Sequence, residues 1–115
     1  MHNFKELHVW QKGIELAATI YKATETLPQS ERFNLISQMQ SAAVSIPSNI
    51  AEGCGRNSNP AFKQFLGIAL GSSYELETQI ILCDKVGLLP SELHQPLNVR
   101  VTEVQRMLNG LIKTL

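Results

Sequence analysis

The chain has 115 residues, 43% of them hydrophobic, and its ten basic and ten acidic side chains cancel to a formal net charge of zero. That length fits one domain, 1–115, which at this size buries roughly two-thirds of its unfolded surface and needs no metal or disulfide to hold a core. The balanced charge argues against the fold-wide basic footprint of a dedicated nucleic-acid binder, and it leaves self-association unopposed by like charge. No apolar run approaches the ~20 residues that span a bilayer. The start, Met1-His2-Asn3-Phe4-Lys5, lacks the apolar stretch of a signal peptide. The expectation is a cytoplasmic protein with no membrane association. Cys54 and Cys83 are not in CxxC spacing and, without an export signal, read as free thiols.

Helical spacing of apolar residues appears four times, and strand-like alternation is scarce. In the first segment Leu7, Trp10, Ile14, Ala17 and Tyr21 recur at helical steps, with Asn3 and Glu6 placed as a capping box and Pro28 as the stop. The second segment begins near the N-cap Ser30, with Glu31 favourable at the positive helix end. Its stripe is Ile36, Met39, Ala43, Ile46 and Ile50, and Gly53-Cys54-Gly55 ends it, glycine permitting a left-handed terminating residue. Pro47 lies inside, where it cannot donate to the carbonyl of Ala43, so a kink is expected, with Ser48 bonding back to a nearby carbonyl.

Asn59-Pro60 opens the third segment, Asn as N-cap and Pro as first helical residue. Phe62, Leu66, Ala69, Ser73, Leu76, Ile80 and Cys83 follow in 4-3 steps, a coiled-coil-like seam that stops near Gly87. The fourth segment starts near Pro90-Ser91 and carries Leu93, Leu97, Val101, Val104, Leu108, Leu111 and Leu115, with Pro96 disturbing its first turns. Short connections make neighbours antiparallel. The expected fold is all-α, an up-down-up-down four-helix bundle with its second helix kinked at Pro47.

Two features exceed the needs of a monomeric bundle. The second helix carries a further stripe of small and polar residues, Gln38, Ser41, Ser45, Ser48, Asn49 and Glu52, and it is free of charge from Met39 to Ala51. The third contains Gly67 and Gly71, each costing about 1 kcal/mol in helix propensity relative to Ala, followed by Ser72, Ser73 and Glu75. Close helix packing within one chain and a subunit interface with buried hydrogen bonds both account for this. Depleted charge favours the second, because interface centres are poor in charge.

Signals for catalysis are weak. The bundle enzymes' Glu-x-x-His motif, HExxH, Walker and GxSxG patterns are absent. The triplets Glu6-Leu7-His8 and Glu92-Leu93-His94 put their side chains on different helix faces. His2, His8 and His94 read as solvated residues at helix starts. Glu52 and Glu75 face each other across helices two and three only if paired between helices, and Arg56 is the expected partner of Glu52. Cys54, beside glycines and Arg56, invites a modestly lowered pKa, but no general base is in sequence reach. No catalytic residue, cofactor or metal site is expected. The best anion-binding stretch is Gly55-Arg56-Asn57-Ser58-Asn59 with Lys63, at a helix start. Ordinary capping explains the same residues.

Taken together, Leu7-His8-Val9-Trp10-Gln11-Lys12, Leu35-Ile36-Ser37-Gln38, Ser45-Ile46-Pro47-Ser48-Asn49-Ile50-Ala51-Glu52-Gly53, Arg56, Phe65-Leu66-Gly67-Ile68-Ala69, Gly71-Ser72 and Glu75-Leu76-Glu77 give the chain a family likeness. It resembles the four-helix-bundle family first noticed as reading frames within intervening sequences of bacterial 23S ribosomal RNA genes, some of whose members carry a ribosomal-protein-like label. The resemblance implies an up-down bundle assembled as a homopentamer around a central channel. Relatives include basic accessory proteins of diversity-generating retroelements, which associate with a reverse transcriptase and nucleic acid. This chain departs from them in its balanced charge and singly scattered Lys and Arg. A role as nucleic-acid accessory, through Arg56 and Lys63, is therefore the alternative to a non-enzymatic, self-assembling scaffold or interaction protein. The resemblance implies that Ser45, Asn49, Glu52, Arg56, Ser72 and Glu75 form a polar framework for the fold or subunit contacts, to which the small and polar stripes add Gln38, Gly67 and Gly71.

Overall fold

The computed structural model describes residues 3–115. Four helices carry the fold: α1 (His8–Thr24), α2 (Ser37–Cys54), α3 (Asn59–Lys85) and α4 (Ser91–Lys113). Each packs on its chain neighbour and α4 closes back onto α1, giving an all-α antiparallel four-helix bundle. At 1.5 Å per residue the 27-residue α3 is about 40 Å long and sets the 43 Å long axis of the molecule.

The core follows the predicted seams in α2, α3 and α4. Met39, Ala43, Ile46 and Ile50 of α2 are buried, as are Leu97, Val101, Val104 and Leu108 of α4. All seven seam residues of α3, Phe62 to Cys83, are buried, including Ser73, whose hydroxyl donates to the carbonyl of Leu70 at 2.6 Å. Burying a Leu or Ile side chain contributes about 1.5–3 kcal/mol, so these ladders supply most of the cohesion.

In α1 the rotation differs from expectation. Val9, Gly13, Leu16, Ala17 and Ile20 face inward, while Ile14 and Tyr21 are 44% and 46% exposed and Leu7 and Trp10 are half-buried. The helix has two apolar stripes, and periodicity alone does not say which one the neighbours take. Gly13 decides it: a Cβ there would lie 3.5 Å from Ile46 and from Pro47, so this is the side on which α2 comes in close.

Helix ends also shift. Asn3 Oδ1 accepts from the Lys5 N–H at 3.1 Å, but it caps a separate 3-10 turn, Phe4–Glu6, and α1 begins only after extended Leu7. Between α1 and α2 the chain makes a 3-10 turn, Gln29–Glu31, and a π-helical turn, Arg32–Ile36, before α-geometry starts at Ser37. The cap of α3 is Ser58, accepting from the Ala61 N–H at 3.2 Å, one residue before the expected Asn59. Gly55 is right-handed, with φ −81°. The left-handed glycine is instead Gly87, φ 75°. There Leu88 N–H reaches the Cys83 carbonyl (2.9 Å) and Gly87 N–H the Asp84 carbonyl (3.2 Å), a Schellman termination of α3.

Both internal prolines are absorbed. α2 runs through Pro47 and α4 through Pro96 without a break, and Pro47 is buried. Near Pro47 it is Asn49, rather than Ser48, that turns back to the backbone, donating to the Ser45 carbonyl at 2.8 Å. No helix among the described residues is long and apolar enough to cross a membrane.

Candidate functional site

The predicted polar framework separates into a joined cluster and scattered members. Ser45 Oγ and Ser72 Oγ lie 2.8 Å apart, and Asn49 Nδ2 donates to Ser45 Oγ at 2.9 Å. These three half-buried side chains tie α2 to α3 beside the outer surface. Gln38 does not join them. It donates to Asn34 Oδ1 (3.0 Å), which belongs to a polar ladder running down to Glu31 along the π-helical turn.

Glu52 and Glu75 are exposed. The expected partnership of Arg56 with Glu52 gives way to a stacking contact: the Arg56 guanidinium sits 4.7 Å from the Phe65 ring centre. Phe65 holds that place because Gly53 lets α2 press against α3. A Cβ on Gly53 would come within 2.7 Å of Phe65 Cβ and 3.0 Å of Phe62. Lys63 is exposed one turn into α3.

Gly67 and Gly71 behave differently. Nothing lies within 4 Å of the position a Cβ would take on either. Close packing within the chain therefore does not explain them. They sit on the outer face of α3 among Ile68 (47% exposed), Tyr74 (48%), Ile81 (43%) and Leu82 (49%). The same outer face also carries exposed Lys63, Gln64, Glu75, Thr78 and Lys85, so its apolar part is a patch within a mixed surface. From Gln64 to Tyr74 the helix bears no charge.

The same character continues across α2 onto α1. A shallow groove of about 390 Å³ is lined by Tyr21, Ser37, Gln40, Ser41, Val44 and Ser45, with Val44 41% exposed. The charges collect elsewhere. Among the described residues the ion pairs are Lys12–Glu103 and Arg100–Glu15, each 3.9 Å, both on the α1–α4 flank. Such exposed pairs contribute under about 1 kcal/mol each. They lie away from two charge-free stretches, residues 39–51 of α2 and 64–74 of α3, beyond which these helices carry Glu52, Lys63, Glu75, Glu77, Asp84 and Lys85.

Groups that would perform chemistry are dispersed. Cys54 and Cys83 are buried and not joined in a disulfide. Desolvation raises the pKa of both, and Glu31 adds to the rise at Cys83. This corrects the lowered value expected for Cys54: burial outweighs any nearby positive charge. Cys83 Sγ instead packs 3.7 Å from Met39 Sδ. His8 is exposed, His94 is half-buried, and His2 lies outside the described residues. The described residues hold no group of three or more His, Cys, Asp or Glu suited to a metal. A groove of about 580 Å³ along α4 contains Thr102, Glu103 and Arg106. Thr102 spends its proton on the Asn98 carbonyl (2.8 Å) and Glu103 faces Lys12.

One polar contact had no clear sequence signal. Gln105 of α4 donates to Glu77 Oε1 of α3 at 2.9 Å, and Asn109 donates to the Gln105 carbonyl at 3.1 Å. Ser73 in the α3 seam was the only hint that α3 and α4 meet through polar groups.

The architecture defines the class as a small all-α protein, an antiparallel four-helix bundle. The chain belongs to the 23S rRNA-intervening sequence protein family, which it matches over residues 5–110. It is also similar to a crystal structure from Bacteroides thetaiotaomicron described as a protein of unknown function from the S23 ribosomal protein family. The two share 27% identity at a TM-score of 0.85, over 91% of this chain and 95% of that one. No curated protein matches the chain significantly.

Proposed function

We propose that this chain is a non-enzymatic, self-associating four-helix module, a cytoplasmic scaffold or interaction protein that assembles as the homopentamer its family resemblance implies. The observation that carries the reading is the outer face of α3. Gly67 and Gly71 lower helix propensity, have open space where a Cβ would stand, and lie among four large apolar residues that are between 43% and 49% exposed. A second backbone approaching the glycines closely would offset their cost. Covering Ile68, Tyr74, Ile81 and Leu82 would add apolar burial at about 25 cal/mol per Å². The polar cluster of Ser45, Asn49 and Ser72 lies at the rim, where Asn49 donates to Ser45 and the two serine hydroxyls share one hydrogen bond, leaving one O–H to be met by solvent or by a partner.

Light scattering tests the proposal. Five copies of a 12.8 kDa chain give a particle of roughly 64 kDa. A native monomer at micromolar concentration overturns the reading.

A further inference from the structure

The zero net charge hides an uneven layout along the bundle. α1 and α3 run one way, α2 and α4 the other, and close contacts fix a common level among them. Gly13 of α1 lies against Ile46 and Pro47 of α2, Ser45 of α2 bonds Ser72 of α3, and Gln105 of α4 donates to the Ser73 carbonyl at 3.5 Å. A plane across the bundle at that level divides the charges. The half that holds the starts of α1 and α3 carries Lys5, Lys12, Arg56, Lys63, Arg106 and Lys113 against Glu6 and Glu52 alone. The other half carries Lys22, Arg32, Lys85 and Arg100 against the remaining eight of the ten acidic side chains. Lys12 and Glu103 form an ion pair across the plane, and setting that pair aside leaves the imbalance in the same sense. The chain is therefore a rod, 43 Å long and 24 × 19 Å across, with a basic end and an acidic end.

Overall neutrality does not remove repulsion between rods that lie side by side in the same sense. A rotation axis parallel to the bundle, as in a ring around a channel, sets basic end beside basic end and acidic end beside acidic end. Like ends then lie one rod width apart and unlike ends farther, so the sum is repulsive. The Debye length is about 30 Å at 10 mM salt, wider than the rod, and about 8 Å at 150 mM, narrower than the rod. Added salt removes the repulsion and leaves the apolar contact in place. Coulomb's law in water makes the difference roughly three- to fivefold per contact between those two salt concentrations. Rods paired in opposite senses would behave the other way, with attraction between unlike ends that salt weakens.

Resting on the self-association proposed above, we infer that ionic strength regulates assembly, which tightens as salt rises because the copies align with like-charged ends together. Light scattering over a concentration series, in about 10 mM and about 150 mM sodium chloride, tests it. The expected result is a half-assembly concentration at least about threefold lower at the higher salt. A chain carrying both Lys63→Glu and Glu25→Lys keeps zero net charge and halves the imbalance between the ends. Both positions are exposed, and each new charge suits its helix end, the positive start of α3 and the negative end of α1. This variant should assemble more tightly than the native chain at low salt and respond less to added salt. A native particle mass that falls with salt, or does not change, overturns the inference alone. So does a double variant whose salt response equals that of the native chain. A native chain that stays monomeric at every salt concentration overturns the inference and the self-association reading together.

Discussion

Replacing Gly71 with Ala should move two measurements in opposite directions. In the isolated chain the new methyl meets nothing within 4 Å, so it introduces no clash. Exchanging Gly for Ala inside an exposed helix then gains about 1 kcal/mol, partly by restricting the unfolded chain. For a domain of this size that raises the melting midpoint by about 4 °C. At a subunit contact the same methyl occupies space that a neighbouring chain is meant to fill. Overpacking typically costs about 1–3 kcal/mol, which weakens each contact by about 5- to 160-fold. The assay pairs denaturant unfolding at dilution, where the monomer dominates, with light scattering across a concentration series. The expected outcome is a more stable monomer and a smaller particle at equal concentration. Gly71→Leu should enlarge the loss of mass. A stabilised variant whose particle mass matches the native protein at every concentration would refute the argument, because Gly71 would then lie on plain solvent-exposed helix.

The remaining predictions concern packing, caps and thiols. Gly53→Ala should destabilise the fold by about 1–3 kcal/mol, read as a lower denaturation midpoint, because its Cβ would sit 2.7 Å from Phe65 Cβ. Ser58→Ala should cost about 1 kcal/mol through loss of the N-cap, whereas Asn59→Ala should cost clearly less. Ser45→Ala and Ser72→Ala should each cost about 0.5–1.5 kcal/mol, and a double-mutant cycle should show coupling between them. Cys54 and Cys83, held protonated by burial, should resist thiol reagents in the folded protein near neutral pH. Their raised folded pKa makes the stabilising contribution complete below the ordinary thiol value of 9.0 and progressively lost as pH rises above it; a denaturation midpoint that climbs with pH above that value would contradict this. Structured RNA at low salt should produce no mobility shift. A shift that fades steeply with added salt would instead favour the nucleic-acid role through Arg56 and Lys63.

What the amino-acid order determines by itself is the number of helices, most of their boundaries and the inward face of three of them. The α3 seam from Phe62 to Cys83 was legible because 4-3 spacing over many turns admits one helical phase. The Ser45–Ser72 neighbourhood and the odd glycines were also visible as residue types out of place in a bundle. The structure decided what spacing cannot carry. Leu7, Trp10, Ile14 and Tyr21 repeat as well as Val9, Leu16 and Ile20, and only the approach of α2 at Gly13 chose between them. Caps shifted by a residue because Ser58 and Asn59 are equally able side chains, and backbone geometry selects which one is extended. The left-handed turn went to Gly87 rather than Gly55 because only α3 ends in the paired bonds of a Schellman turn. Above all, a sequence cannot say whether a glycine faces a neighbour or open space. That is a relation between helices, and for Gly67 and Gly71 it is the fact from which the functional reading starts.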